Sequence, residues 1–561
     1  MMPLYSLKKH LALPKTSWQI CLLAAIGGIA SAGLIILFTA SIDFIQQWYL
    51  PQKEDYTSLS ALSRFHLPII GALLILLCAK LTGYQYLRTG IPFVLHRLKV
   101  AHGVIPLRNT LNQFVGTVFA LASGFSVGRE GPAVHLGAAC SSFIGSYLKL
   151  PYNAVRTLCA CGIAAGIAAS FNTPVAAVIF VMEVIMREYK VHIFIPVMIA
   201  SIVGSLITSH VFGPAHKFEY FSKISIEMVD YPLVILLGLI LGILAFAFNR
   251  YLTLIIKHSK DFHIIPRFLM AAAITGALGA AVPYAMGTDL SAIAFAIEDS
   301  IHFQLLFGLL IAKFVMTIVA LGLGVPGGII GPILSIGAIA GISVAAITNQ
   351  VFMQDMLLTD YALMGMAGFM AATLNAPLAA LLAVVELSNQ LEIIVPAMIV
   401  ITTASVSSGQ FFGNRSILVM QLEVQGLLYR HPPIEKSLQR IGAMGIMQEN
   451  LTIIAPNNES HYLETLAKRE TNELIIVKDN EAQHSFTLLH SHHATLNNDF
   501  PLIEQHQLIP LPYQVTLAEA YAILKEFRQG GVYLYDGSKD NIVGVIMFEQ
   551  IRCYLIEGKT N

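Results

Sequence analysis

Long apolar runs recur between residues 17 and 414, with few charges between them. The longest cover 17–42, 109–128, 157–182, 193–215, 231–249, 268–288, 314–353, 361–385 and 393–414, and shorter ones cover 65–79 and 134–148. A bilayer-spanning helix needs about 20 mostly apolar residues. The runs therefore predict roughly a dozen helical segments before residue 430. Beyond 415 the pattern changes. Charge returns at Glu423, Arg430, Glu435, Lys436 and Arg440, and Pro432-Pro433 marks a linker. Short apolar runs at 451–454, 473–477, 531–535 and 542–546 then alternate with polar stretches, with helix-like segments at 461–470 and 517–529. None is long enough to cross a membrane. The chain divides into an N-terminal segment (1–16), a membrane region (17–425) and a small soluble α+β domain (426–561).

Composition supports this. Of 561 residues 55% are hydrophobic and only 12% charged, with mean hydropathy +0.67, against about 25% charged in soluble chains. Too few charges are available to skin the two or three soluble cores that such a length requires. Lys+Arg and Asp+Glu balance at 34 each, so no basic excess suggests a nucleic-acid partner. Lys8, Lys9 and Lys15 precede a first run of more than 25 residues that leads into Trp48 and Tyr49. That reads as a membrane helix with a cytoplasmic start, not a cleaved signal. The six cysteines include Cys159 and Cys161, a spacing that fits neither a zinc knuckle nor a redox pair.

Two parts of the membrane region resemble each other. Residues 168–184 read AASFNTPVAAVIFVMEV and 371–387 read AATLNAPLAALLAVVEL, matching Asn172 with Asn375, Pro174 with Pro377 and Glu183 with Glu386. Upstream, GREGPAVHLGA (128–138) matches GIIGPILSIGA (328–338). A duplicated membrane unit suggests a transporter or channel with its site where the copies meet. The expected architecture is an all-α polytopic membrane protein with an inverted internal repeat, followed by the α+β domain.

Gly/Pro clusters interrupt the apolar runs at Thr89-Gly90-Ile91-Pro92, at 128–132 and at 324–332. Irregular backbone at membrane depth is tolerated only where it is buried in protein or lines a cavity. Pro suits a first helical turn, so each cluster predicts a helix that starts inside the membrane. Such a start offers free N–H donors and about half a positive charge. Several aimed at one point hold an anion without a fixed cation. Glu130 stands at one of these starts, where the repeat has Ile330. Its carboxylate competes with the anion when ionised and yields when protonated, which makes it a gating or proton-coupling group. Thr89 offers a hydroxyl to the anion or a simple N-cap. Glu183 and Glu386 read either as pore residues or as carboxylates at helix ends.

These residues resemble the CLC family of chloride channels and proton/chloride antiporters over roughly 60–425. GREGP (128–132) resembles the family's GKEGP/GREGP segment, which puts Glu130 at the external gating glutamate. PGGIIGP (326–332) resembles the GxFxP segment, which makes Ile329 and Ile330 the chloride-binding amides. RTGIP (88–92) resembles GSGIP, with Thr89 for the anion-binding serine, and FNTPVAAVIFVMEV (171–184) resembles the FNAPLAG…EE stretch. The resemblance implies a homodimer with one pore per subunit, chloride as the bound ion, and an anion site drawn from Thr89, Gly90, Ile91, Arg129, Gly131, Ile329, Ile330 and Leu418. Three departures stand out. Thr89 keeps the serine's hydroxyl. Val184 falls where the family has its internal proton-transfer glutamate, which leaves neighbouring Glu183 as proton-relay candidate. Leu418 falls where the family has its pore tyrosine. The last two favour a voltage- or pH-gated chloride channel or a loosely coupled conductor. A stoichiometric proton/chloride antiporter is the alternative.

The tail resembles a pair of CBS modules. Met547 and Gln550 stand where ribose- and phosphate-contacting Thr and Asp are expected, so no adenine nucleotide is expected. His484, His490, His492 and His493 lack accompanying Cys or acidic ligands and read as a solvated loop rather than a metal site. A solute symporter with a regulatory tail would want acidic or carbonyl-rich helix C-termini at its site, whereas these breaks are helix starts. A membrane enzyme finds no catalytic motif here.

Overall fold

The computed structural model describes residues 2–83, 90–213, 226, 230–288, 290–297, 303–352, 358–427, 433–456, 462, 465, 473–478, 486–492 and 502–557. It contains α1 (Met2–Ala12), α2 (Trp18–Gln46), α3 (Ala61–Leu81), α4 (Gly90–Val100), α5 (Leu107–Ala122), α6 (Glu130–Tyr147), α7 (Tyr152–Phe171), α8 (Pro174–Phe180), α9 (Val191–Phe212), α10 (Tyr231–Ser259) and α11 (Ile264–Ala281). These are followed by α12 (Leu290–Ile297), α13 (Phe303–Gly322), α14 (Ile330–Phe352), α15 (Leu358–Leu374), α16 (Pro377–Ser388), α17 (Ile394–Val406) and α18 (Ile417–Val424). Among the described residues nine helices are long and apolar enough to cross a membrane. The apolar core segments of α7 and α14 are 78% and 83% buried, that of α3 only 22%. α7 and α14 are thus inner helices, while α3 turns much of its apolar surface outward, as a lipid-facing helix does.

Three apolar runs prove to be two helices each. Runs 157–182 and 361–385 break at Asn172 and Asn375, with φ +57° and +55°. Asn tolerates this left-handed conformation better than most residues. Pro174 and Pro377 then open α8 and α16. Run 314–353 breaks at 323–329, where Gly324 takes φ +93°. The run at 109–128 ends as helix at Ala122, before Gly124 at φ +80°.

The repeat is legible in the packing. α6 meets α7 so closely that a Cβ on Gly137 would strike the Gly162 carbonyl. α14 meets α15 in the same way, through Gly337 and Gly365. Small residues that let backbones touch are the usual means of packing membrane helices.

By contacts the chain forms two compact units, Cys21–Ile144 with Thr157–Tyr429, and Met1–Ile20 with Gly145–Arg156 and Arg430–Asn561. The second unit also takes in the α6–α7 turn. It carries α19 (Pro433–Leu438), β1 (Leu451–Ile454), β2 (Leu474–Lys478), β3 (Phe486–His492), β4 (Leu502–Pro512), α20 (Leu517–Leu524), β5 (Gly531–Tyr535), β6 (Ile542–Met547) and α21 (Phe548–Glu557). The six strands lie in sequence order in one sheet. β1 is parallel to β2, which is antiparallel to β3; β4 is parallel to β5, which is antiparallel to β6. The halves join through antiparallel β3 and β4. α20 starts on a capping box of Thr516 and Glu519. The helix-like stretch 461–470 lies mostly outside the described residues. The basic N-terminal helix belongs to this unit: buried Lys8 donates to Tyr513 Oη at 2.7 Å, and Gly442 N donates to Ala12 O at 2.8 Å. Tyr513 Oη donates to Lys149 O at 2.9 Å and Tyr152 N donates to Gln514 O at 2.9 Å, so the α6–α7 turn is held as well. Of the histidine cluster, His484 and His493 lie outside the described residues.

Candidate functional site

α4, α6 and α14 start alike. Gly90-Ile91-Pro92, Glu130-Gly131-Pro132 and Ile330-Gly331-Pro332 occupy their first three positions. Proline is third in each, so one orphan N–H is absent and the first two amides of each turn remain unpaired within the helix.

The turns before α6 and α14 are stitched together. Gly128 N donates to Gly328 O at 2.8 Å and Gly328 N donates to Gly128 O at 2.7 Å, a two-bond antiparallel bridge. The contacts exchange as a two-fold axis would exchange them. A Cβ on Gly128 would stand 3.1 Å from the Gly331 nitrogen, and one on Gly328 would strike the Gly131 nitrogen. Glycine is required because backbone meets backbone here. α4 joins the other two starts, since a Cβ on Gly90 would lie 3.7 Å from Gly327 O. Glu130 is 1% exposed. Its carboxylate folds back over the bridge, with Oε2 against the α-carbons of Gly128 and Gly328. The carboxylate therefore lies close to the starts of both α6 and α14.

A cavity of about 1480 Å³ opens onto this point. Gly90, Ile91, Gly131, Gly327, Gly328, Ile329 and Leu418 line it. The structure thus brings five of the expected anion-site residues to one cavity: Gly90, Ile91, Gly131, Ile329 and Leu418. Ile330 opens α14 beside them, 6% exposed. Thr89 lies outside the described residues. Gly90, at φ +76°, donates its N–H to Gln113 Oε1 at 2.7 Å. Arg129 turns its guanidinium to Glu54, with Nη2 2.6 Å from Oε1.

Glu183 and Glu386 sit at helix starts of the opposite repeat. α8 and α16 have no side-chain hydrogen bond from their own N-cap residues. Each is capped instead by a glutamate of the other repeat, Glu183 from the π-turn that follows α8 and Glu386 from the last turn of α16. Glu183 accepts from Leu378 N and Ala379 N at 3.2 and 2.7 Å, and Glu386 accepts from Val175 N and Ala176 N at 2.9 and 2.7 Å. An ionised carboxylate on a helix N-terminus is a stabilising pair. Val184 is buried within the π-turn Val181–Met186.

Sequence reasoning missed several residues. Gln113 fixes the Gly90 amide and donates from Nε2 to Thr117 Oγ1 at 2.7 Å. Asn109, Asn112, Gln113 and Thr117, all buried, recur at helical spacing along α5; this polar stripe in an apolar run was the available signal. Lys80, Lys260 and Arg267 line the cavity with Asp261, an excess of positive charge that concentrates anions. Arg267 Nε also braces the turn before α14 by donating to Leu323 O at 3.1 Å.

The profile of the voltage gated chloride channel family matches residues 70–409. The chain belongs to this family. Among its relatives, the H(+)/Cl(-) exchange transporter ClcA of Citrobacter koseri is 28% identical over 432 residues, covering 73% of this chain and 89% of that protein. The protein of the same name from Vibrio campbellii is 26% identical over 433 residues, covering 72% and 88%. Of solved structures, a slow cyanobacterial Cl-/H+ antiporter superposes with TM-score 0.65 at 22% identity, over 73% of this chain and 98% of that one. A eukaryotic CLC transporter superposes with TM-score 0.59 at 17% identity, over 95% and 98%. The fold is therefore the CLC fold, polytopic and helical, with a small strand-and-helix domain at its C-terminal end.

Proposed function

We propose that this family member exchanges chloride for protons across the bilayer. The carrying observation is the Gly128–Gly328 bridge with the Glu130 carboxylate folded onto it. Chloride and the carboxylate are both anions, and both suit the same convergent amides. When Glu130 takes up a proton it loses its charge and its hold on the amides, and chloride replaces it. When the proton leaves, the carboxylate returns and displaces chloride. Occupancy of one site by either anion links the two fluxes.

Relatives named as exchange transporters support this reading over the channel or loosely coupled conductor. One observation favours the conductor: Val184, buried and apolar, offers no proton station on the inner side. Chloride flux from liposomes with simultaneous proton recording separates the two. The reversal potential of an exchanger follows an imposed pH gradient, and that of a conductor ignores it. Glu130→Gln is expected to make chloride flux nearly independent of pH and to abolish coupled proton movement; full pH dependence in that variant would remove Glu130 from the mechanism.

The same reading includes a homodimer in a bacterial inner membrane with cytoplasmic termini, and a tail built as two CBS modules. The twice-repeated parallel-then-antiparallel strand order supports the latter. Gln550 accepts from Met547 N at 2.9 Å, which occupies the side chain at the position where a phosphate contact would be needed.

A further inference from the structure

Arg129 directly precedes the gate residue, and its partner comes from far away in the chain. Glu54, on the connection between α2 and α3, is 8% exposed and sits at φ +59°. That backbone region is uncommon for a non-glycine residue and is held only where the surroundings enforce it. One Glu54 oxygen accepts from Arg129 at 2.6 Å, and the other accepts from Thr288 Oγ1. The carbonyls of Gly287 and Thr288 receive Nζ of Lys313, a fully buried lysine of α13, at 3.0 and 3.1 Å. Tyr56, two residues beyond Glu54, donates to Leu121 O at 3.0 Å, and Gly287 N donates to Gly124 O at 3.1 Å. Three connections, 47–59, 123–129 and 283–288, are thus knitted together immediately before the first residue of α6.

We propose that Glu54 is a positioning residue for the gate: by pairing with Arg129 it sets the field at Glu130, and so the pH at which chloride flux turns on. The inference rests on the reading of Glu130 as the proton-accepting gate. An ion pair presents little net charge to its neighbour, whereas an unopposed guanidinium beside Glu130 holds that carboxylate ionised. The other charged or titratable groups around the pair are Asp43 of α2, which is bound to Lys53 at 2.5 Å, Tyr49 and Tyr56 of the same connection, and Lys313. Since Asp43 is already engaged by Lys53, Glu54 is the carboxylate that answers Arg129 directly.

The test is chloride flux from liposomes over a pH series, on the full chain. Glu54→Gln is expected to move the midpoint of the pH dependence to more acid values by about one unit. Glu54→Asp retains the charge and is expected to keep the midpoint near that of the unaltered chain. Thr288→Val removes one hydrogen bond to Glu54 and is expected to move the midpoint the same way by less; it decides the matter should Glu54→Gln fail to fold. A purely structural role would lower the unfolding temperature and leave the midpoint in place. Unmoved midpoints in Glu54→Gln and Thr288→Val, or an equal shift in Glu54→Asp, overturn the proposal. If Glu130→Gln keeps its full pH dependence, the gate reading itself falls. If Glu130→Gln is flat and Glu54→Gln is unshifted, only the present inference falls.

Discussion

Gly328→Ala tests whether the convergence of helix starts is what holds the Glu130 carboxylate in place. Gly328 does not have a left-handed φ, so alanine brings no backbone strain and the effect is steric. The added Cβ would lie 2.7 Å from Glu130 Oε2, 3.0 Å from Glu130 N, and closer still to Gly131 N. The carboxylate is the end of a flexible side chain and can swing away. The two amides cannot move without disturbing the Gly128–Gly328 bridge, whose bonds are 2.8 and 2.7 Å long and contribute about 1 kcal/mol each. Overpacking at a site of this kind costs about 1–3 kcal/mol. The fold therefore survives at reduced stability, and the carboxylate is the group that is expelled. Unfolding followed by fluorescence in detergent should show the loss. Liposome flux should show a flattened pH profile, with chloride passing at neutral pH as is expected of the unaltered chain at acid pH. Gly308→Ala is the control, because nothing lies within 4 Å of its Cβ position; it should match the unaltered chain in both assays. A Gly328→Ala protein with unaltered stability and an unaltered pH profile would refute the convergence argument.

Other expectations concern groups around the site. Replacing Glu183 or Glu386 by Gln removes the charge from a helix cap and should cost about 1–2 kcal/mol each in thermal unfolding, with proton coupling unchanged for Glu183→Gln if it serves only as a cap; loss of coupling would support a relay role. Gln113→Leu leaves the buried Gly90 amide without its acceptor and should cost about 1–3 kcal/mol, measured the same way, with altered chloride affinity by calorimetry. Burial, with Asp536 nearby, pushes the Tyr513 phenol up to about 12. Its contribution to stability is then complete below its ordinary value near 10 and decays as pH rises through 12. Tyr513→Phe should abolish that alkaline dependence in the second unit and remove about 1 kcal/mol for each of its two bonds, read by urea unfolding at alkaline pH.

Much of the site was legible in the chain because its chemistry is local. A proline third in a helix, with a glycine in the same turn, marks a helix start, and three such starts in apolar sequence at Gly90, Glu130 and Ile330 announce buried N–H groups. The repeat paired Asn172 with Asn375 and Glu183 with Glu386, and the structure uses both pairs symmetrically. Their roles were harder to read. The glutamates serve each other's helices across about 200 residues of chain, and nothing near Glu183 in sequence indicates that its acceptor capacity is taken up by Leu378 and Ala379. Glu54 was passed over for the same reason: in sequence it is one acid in a polar connection, and only folding sets it against Arg129. The Asn breaks inside runs 157–182 and 361–385 were hidden by apolar residues on both sides, since hydropathy reports the solvent and not the backbone angle.

The sequence by itself determined which segments enter lipid, where helices begin, that the membrane part is duplicated, and that a small mixed domain follows. These rest on hydrophobic length, on the missing N–H of proline and on alternation, all of which act over a few residues. Tertiary structure decided what the exposed amides face, that the Glu130 carboxylate lies on a glycine bridge made by both repeats, and that Glu183 and Glu386 cap each other's helices. Those outcomes depend on hydrogen bonds between groups hundreds of residues apart, and the same local pattern permits either role until packing brings a partner within about 3 Å.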